Sequence, residues 1–325
     1  MIAAPQLLTV RGLRVEYPGE GGAVRAVRGI DLDVAAGERV GLVGESGSGK
    51  STAAFAIAGL LRPPGQITAG SIKFENSDLA RLKEDDLNRV RGSRLGMVYQ
   101  DPFTFLNPVM RVGDQIAEVL MAHRGMGRRE ARARVEHTLE QMGLVPGHLM
   151  ARKYPHQLSG GQRQRVIIAM ATAIGPRLLI ADEPTTALDT TVQMQILRLL
   201  LEAVAELGSS LLLISHDLAI VRATCQRVYV MYAGRIVESG DCELVFSSPR
   251  HPYTRALVDA SRRVPDSRGQ FPTIAGAPPD LRHPPSGCPF AARCPRRFDR
   301  CGREAPLLQA EANWRAACWL VEGRG

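Results

Sequence analysis

The chain has 325 residues, of which 45% are hydrophobic, with 41 Lys and Arg against 33 Asp and Glu for a net charge of +8. That composition excludes a disordered chain and provides for about two domains with ordinary buried cores. No uninterrupted apolar run approaches the ~18 residues of a bilayer crossing, and the opening MIAAPQLLTVRG lacks the basic region and apolar stretch of a secretion signal, so a globular, cytoplasmic protein is expected. The positive charge leaves nucleic acid, anionic lipid and phosphorylated ligands all open.

In chain order, LLTVRGLRVEY (7–17) alternates like a half-exposed strand, and ERVGLVG (38–44) is the first continuous apolar run. Residues 113–145 form a helical block with stripes at Ile116, Val119 and Leu120 and at Val135, Leu139 and Met142, split by the basic HRGMGRREARAR. Two more apolar runs follow, RLLIADEP (177–184) and SLLLISHD (210–217), and all three suit parallel strands covered on both faces. Between the last two, TTVQMQILRLLLEAVAEL (190–207) repeats Val192, Ile196, Leu199, Ala203 and Leu207 at helical spacing. RVYVMYAGRIVESG (227–240) reads as two strands around an Ala-Gly turn. Eleven of the 21 prolines lie at or beyond Pro249, which places a domain boundary near there. An α/β core follows from this order.

The chemistry begins at GESGSGKS (44–51), which follows a predicted strand and opens a helical run, the setting of a phosphate loop. Glycines at 44, 47 and 49, with Ser46, let backbone N–H groups approach phosphates, Lys50 reaches the β and γ phosphates, and Ser51, beside Thr52, offers a hydroxyl to Mg²⁺. Two carboxylates end the LLIADE strand, Asp182 suited to the magnesium shell and Glu183 to the attacking water. Near the C-terminus stand Cys288, Cys294, Cys301 and Cys318, separated by five, six and sixteen residues, while Cys225 and Cys242 are expected to be packing residues. In a reducing compartment such clustering favours metal over disulfide, but the spacing is neither that of a zinc knuckle nor that of a bacterial ferredoxin, and it leaves the metal's identity open.

With QDP (100–102), LSGGQRQR (158–165), TALD (186–189) and SHD (215–217) added in this order, residues 7 to about 245 resemble the ATP-binding cassette (ABC) ATPases. The resemblance implies an α/β fold made of a RecA-like core with antiparallel β and helical subdomains. It implies nucleotide-binding residues 1–248, with the helical subdomain near 101–170, and a small cysteine-containing extension over 249–325. Roles carry over residue by residue: Tyr17 on adenine, Gln100 at magnesium and the attacking water, His216 at the γ-phosphate, Asp189 in communication across a dimer. Ser159, Gly160, Gly161 and Gln162 would cover nucleotide held by a second cassette, so hydrolysis requires two.

QDPFTFLNPVMRVGDQI (100–116) and SSPRHPYTRAL (247–257) further resemble the ATPase subunits of bacterial dipeptide and oligopeptide importers, a group that includes nickel and metal-chelate importers. This implies ATP and Mg²⁺ as ligands, two membrane permease subunits, a second related ATPase, an extracytoplasmic solute-binding protein as indirect partner, and a place on the cytoplasmic face of the bacterial inner membrane, without nucleic acid. Phe103, Phe105, Leu106 and Val109 either face the permeases or pack the helical subdomain. The same resemblance implies a [4Fe–4S] cluster on Cys288, Cys294, Cys301 and Cys318, with Zn²⁺ or free thiols as the alternatives. A cluster would order a proline-rich tail short of apolar material. Arg293, Arg296, Arg297, Arg300 and Arg303 would offset its charge, meet an acidic surface, or simply be solvated. A soluble nucleotide-dependent clamp is the rival reading from another class.

Overall fold

A computed structural model describes residues 5–186, 188–262, 274–311 and 314–321. Its strands are β1 Gln6–Tyr17, β2 Val24–Ala35, β3 Arg39–Val43, β4 Gln66–Phe74, β5 Ser77–Asp78, β6 Leu95–Val98, β7 Leu178–Asp182, β8 Ser210–Ser215, β9 Arg227–Tyr232, β10 Arg235–Asp241, β11 Gln309–Glu311 and β12 Trp314–Ala316. Its helices are α1 Lys50–Ile57, α2 Glu84–Val90, α3 Pro102–Phe105, α4 Val112–Arg124, α5 Arg128–Gln141, α6 Gly147–Met150, α7 Gly160–Thr172, α8 Thr190–Glu206, α9 Leu218–Thr224, α10 Cys242–Ser247, α11 Pro252–Arg262 and α12 Asp299–Arg303. The chain divides into two compact units, one over Leu82–Leu212 and one formed by Pro5–Arg81 with Leu213–Gly325.

In the second unit an antiparallel sheet runs in the order β2-β1-β4-β5. The alternation seen in β1 decides its inner face: Leu8, Val10, Leu13 and Val15 are buried, and Leu8, Val10 and Leu13 stand opposite Val34, Leu32 and Ile30 of β2. An irregularity between Val10 and Leu13 shifts the register while Gly12 takes φ +58°, so the apolar face stays inward on both sides of it. The same unit holds β3 parallel to β9 and β9 antiparallel to β10, joined by Ala233 (φ +48°) and Gly234 (φ +77°). Two consecutive positive φ values match the twist of a two-residue hairpin.

The C-terminal extension is built into this unit. Strand β12 pairs with β10, Glu238 opposite Ala316 and Ser239 opposite Arg315. Glu238 is fully buried and accepts from the backbone N–H groups of Arg250 (2.8 Å) and His251 (2.9 Å) and from the Trp314 indole (2.8 Å). Burial raises its carboxyl above the ordinary range, and the donors work against that rise. Phe290, 1% exposed, lies edge-on to Tyr232 at 5.4 Å and tilted against Tyr253 at 5.4 Å. Its burial is worth about 1.5–3 kcal/mol. The expectation that the tail lacks material to order itself therefore fails, because its few apolar side chains dock on a core that already exists.

In the first unit β6 is parallel to β7, with Leu95 opposite Leu178 and Val98 opposite Ala181. All five residues of β7 are buried, as its continuous apolar run requires. Helices α4 and α5 are neighbours, and Ile116, Leu120, Val135 and Leu139 of the stripes read from the sequence are buried. Helix α8 differs: its buried face is Ile196, Leu197, Leu200, Ala203 and Val204, while Leu207 is exposed. The LRLLL run offers apolar residues at neighbouring angles, so periodicity alone admits a face rotated from the one that packs. Among the described residues no helix is long and apolar enough to cross a membrane.

Candidate functional site: a phosphate loop, a carboxylate strand end and a capped helix

The loop between β3 and α1 is shaped by two obligatory glycines. Gly44 has φ +154° and a Cβ there would lie 2.1 Å from the Met231 carbonyl oxygen; Gly49, the N-cap of α1, has φ +102° and a Cβ would lie 2.3 Å from the Ala26 oxygen. Both contacts are with backbone, so no side chain fits. The loop closes on itself and on the β9–β10 turn: Ser48 N–H donates to the Glu45 oxygen (3.2 Å) and Gly234 N–H to the Ser48 oxygen (2.9 Å). Lys50, 4% exposed, donates through Nζ to the carbonyl oxygens of Gly44 and Glu45, both at 2.9 Å. Ser46 and Gly47 form the exposed crest, and Ser51 and Thr52 lie half-exposed in the first helical turn. An exposed crest before a helix N-terminus, with a lysine ammonium held at the loop carbonyls, has the make-up of a candidate anion site.

Tyr17 ends β1 half-buried, its ring covering Gly65, where a Cβ would approach Cε1 to 2.5 Å. His216 follows β8 and is exposed, beside Asp217, which caps α9 through the N–H groups of Ala219 (2.8 Å) and Ile220 (3.3 Å).

The first unit gathers a second set. Asp182, 2% exposed, is the last residue of β7, and Glu183 beyond it adopts φ +45°. Left-handed backbone at a non-glycine residue costs on the order of 1–3 kcal/mol and is held by its surroundings. Here the Glu183 carboxylate accepts from Gln100 Nε2 (3.3 Å) and Thr186 Oγ1 (2.9 Å), which joins two residues named from separate motifs. Gln100 is exposed just beyond β6. Ser159 is the N-cap of α7 in a reciprocal box with Gln162: Gln162 N–H donates to Ser159 Oγ (3.3 Å) and Ser159 N–H to Gln162 Oε1 (3.1 Å). Gly161 leaves no room for a side chain, since a Cβ would stand 2.7 Å from Val192, while Gly160 is looser at 3.4 Å from Leu188. Asp189 is exposed and caps α8 by accepting from Val192 N–H (3.0 Å). Its neighbour Ala187, within the TALD motif, lies outside the described residues. Of the apolar residues after Gln100, Leu106 is buried, Phe105 stacks on Tyr99 at 3.4 Å and Val109 is 80% exposed; the Phe103 side chain lies outside the described residues.

The four C-terminal cysteines require a correction. The expected [4Fe–4S] cluster, and the zinc alternative with it, are not supported: among the described residues no group of three or more His, Cys, Asp or Glu is arranged to hold a metal ion. Cys288, Cys294, Cys301 and Cys318 are free thiols. Burial pushes the Cys288 thiol up to about 11 and raises those of Cys294 and Cys318. The segment is ordered instead by backbone bonds, Cys288 N–H to the Cys301 oxygen (2.8 Å) and Ala291 N–H to the Cys288 oxygen (3.0 Å), and by the docking of Phe290. Cys225 and Cys242 are buried packing residues, as expected, and burial raises both thiols. Three of the arginines have partners that sequence reading left open: Arg293 pairs with Glu45, Arg300 with Glu304, and Arg303 with Asp299. No periodicity links residues 45 and 293, so the first of these pairs had no signal in the sequence.

Comparisons with known proteins agree with this arrangement. Residues 27–186 match the ABC transporter family model, and residues 237–301 match the model of the oligopeptide/dipeptide transporter C-terminal region. The chain is 44% identical to the dipeptide transport ATP-binding protein DppD of Bacillus subtilis, over 98% of this chain and 96% of that one. It is 45% identical to the oligopeptide transport ATP-binding protein OppD of Escherichia coli, over 97% and 94%. Among solved structures, the dimeric ATP-binding cassette MJ0796 bound to ADP and Pi aligns with TM-score 0.65 and 30% identity, over 72% of this chain and 98% of that one. The phosphate loop, the carboxylate strand end, the capped signature helix and the full-length identity together place this chain in the ABC transporter family, among the ATP-binding proteins that carry the oligopeptide/dipeptide transporter C-terminal region.

Proposed function

We propose that this chain is the ATP-hydrolysing subunit that drives import of dipeptides or oligopeptides across a bacterial cytoplasmic membrane. The carrying observation is the presence, in one chain with full-length identity to peptide-transport ATP-binding proteins, of both the cassette motifs and the C-terminal region. In this reading residues 1–248 bind nucleotide and residues 249–325 form the importer-type extension, cysteines included. Tyr17 stacks on adenine. The amides of Ser46, Gly47 and Gly49 with Lys50 hold the phosphates, Ser51 and Thr52 stand at the start of the helix, and His216 senses the γ-phosphate.

Ser51, Gln100 and Asp182 present a hydroxyl, an amide and a carboxylate, the hard oxygen donors magnesium takes. When bound, that ion neutralises phosphate charge. Glu183, steadied by Gln100 and Thr186, orients and deprotonates the attacking water. Ser159, Gly160, Gly161 and Gln162 cover nucleotide on a second, related ATPase, and Asp189 carries communication between the two. Two permease subunits receive the stroke near Val109, and an extracytoplasmic binding protein delivers the peptide, with this subunit on the cytoplasmic face.

The test is reconstitution with the permeases and the second ATPase in liposomes. Peptide uptake that requires ATP and stops with Lys50→Ala is expected. ATP-dependent uptake of nickel with no peptide uptake, or hydrolysis unaffected by the permeases, would refute the proposal.

A further inference from the structure

A charged side chain of the tail, Arg293, reaches the phosphate loop. Arg293 grips both carboxylate oxygens of Glu45, NH1 to Oε2 at 2.7 Å and NH2 to Oε1 at 2.9 Å. Its remaining donors are engaged, Nε with the Ala275 oxygen (2.9 Å), NH2 with the Ile274 oxygen (2.8 Å) and NH1 with the Tyr232 hydroxyl (3.2 Å). The side chain is 3% exposed. Glu45 is the second residue of the loop, and its other two handles are also held. Its N–H donates to the Tyr253 hydroxyl (2.8 Å), and its carbonyl accepts from Lys50 Nζ (2.9 Å).

We infer that Arg293 is a positioning residue for ATP binding, fixing the phosphate-loop backbone and the reach of Lys50 through the carboxylate of Glu45. The inference rests on the nucleotide reading proposed above. A loop with glycines at 44, 47 and 49 has more conformational freedom to lose than most, and an anchor that removes that freedom beforehand lowers the ordering cost of binding. A bidentate guanidinium is the side chain that fixes a carboxylate in both position and plane, which a lysine does not. Affinity for ATP thus depends on a residue outside the cassette motifs, and the extension belongs to the nucleotide site as well as to the fold. If the pair served only to fasten the tail, its loss would lower the melting temperature and leave affinity alone.

Calorimetric titration of Mg-ATP into the full chain, below every variant's melting transition, separates the two. Arg293→Gln and Glu45→Gln are each expected to weaken binding about tenfold, the double variant no further than the worse single, and Arg293→Lys about threefold. Trp314→Phe, which loosens the tail by removing a donor to Glu238 and leaves the partners of Glu45 and Arg293 in place, is expected to lower the melting temperature with affinity within about twofold. Lys50→Ala tests the nucleotide reading separately, and undiminished binding there would sink that reading rather than this one. The inference is overturned if Arg293→Gln and Glu45→Gln bind ATP like the parent, if their losses multiply in the double variant, or if Trp314→Phe weakens binding as much. Should Arg293→Gln fail to fold, Glu45→Gln and Arg293→Lys decide by the same criteria.

Discussion

Acid should loosen the C-terminal extension through His251. This residue is 1% exposed, its Nδ1 accepts from Tyr253 N–H at 3.0 Å at the start of α11, and its Nε2 is buried without a hydrogen-bond partner. Burial lowers it to about 3, from 6.5 in the unfolded chain. A base depressed in the folded state contributes stability that is full above the unfolded value and is lost as pH falls towards the folded one. The window is therefore about pH 6.5 down to 3, with each unit costing about 1.4 kcal/mol. From pH 7.5 to 5.5 the loss is about 1.4 kcal/mol, and by pH 5 about 2 kcal/mol.

Glu238, whose carboxylate accepts from the His251 N–H, works in the opposite direction. Its raised carboxyl takes up a proton in the folded chain first, which favours folding as pH falls towards about 4.5. Comparison with His251→Asn cancels that contribution, because asparagine keeps an acceptor for the Tyr253 N–H and does not titrate. The chain's two tryptophans, Trp314 and Trp319, both lie in the extension, so urea unfolding followed by their fluorescence reads this region. The parent should lose about 1.4 kcal/mol relative to His251→Asn between pH 7.5 and 5.5. Parallel pH profiles would refute the reasoning, because a buried neutral imidazole must produce this slope.

Three further outcomes follow from the same geometry. Glu183→Gln in the assembled transporter should keep ATP binding and lose hydrolysis by about 10²–10⁴-fold, measured as phosphate release; undiminished turnover would remove Glu183 from the role of base. Gly44→Ala should displace the loop, because its Cβ meets the Met231 oxygen at 2.1 Å, lowering stability by about 1–3 kcal/mol and ATP affinity with it; a crystal structure showing an unmoved loop would contradict this. Glu238→Ala leaves the donors of Arg250, His251 and Trp314 without their carboxylate, at about 1–3 kcal/mol for each one unsatisfied. A red-shifted Trp emission and faster proteolysis of the extension are expected, with Glu238→Gln milder.

The placement of the glycine loop between a strand and a helix, and of the paired carboxylates at the end of a buried strand, was legible because these patterns are local in the sequence. The β1 face and the α4 and α5 stripes were legible for the same reason, since periods of two and 3.6 fix which side chains share a face. Helix α8 was misread where consecutive leucines made several faces equally apolar. Only the tertiary structure decided the tail. Glu238 against Arg250 and Trp314, Phe290 against Tyr232, and Arg293 against Glu45 join residues 12 to 248 positions apart, and contacts at that range are chosen by complementarity across the fold. The cysteines show the limit in the other direction. Their clustering in sequence suggested a metal, yet among the described residues no metal-holding group is formed, and backbone bonds and one buried phenylalanine order the segment.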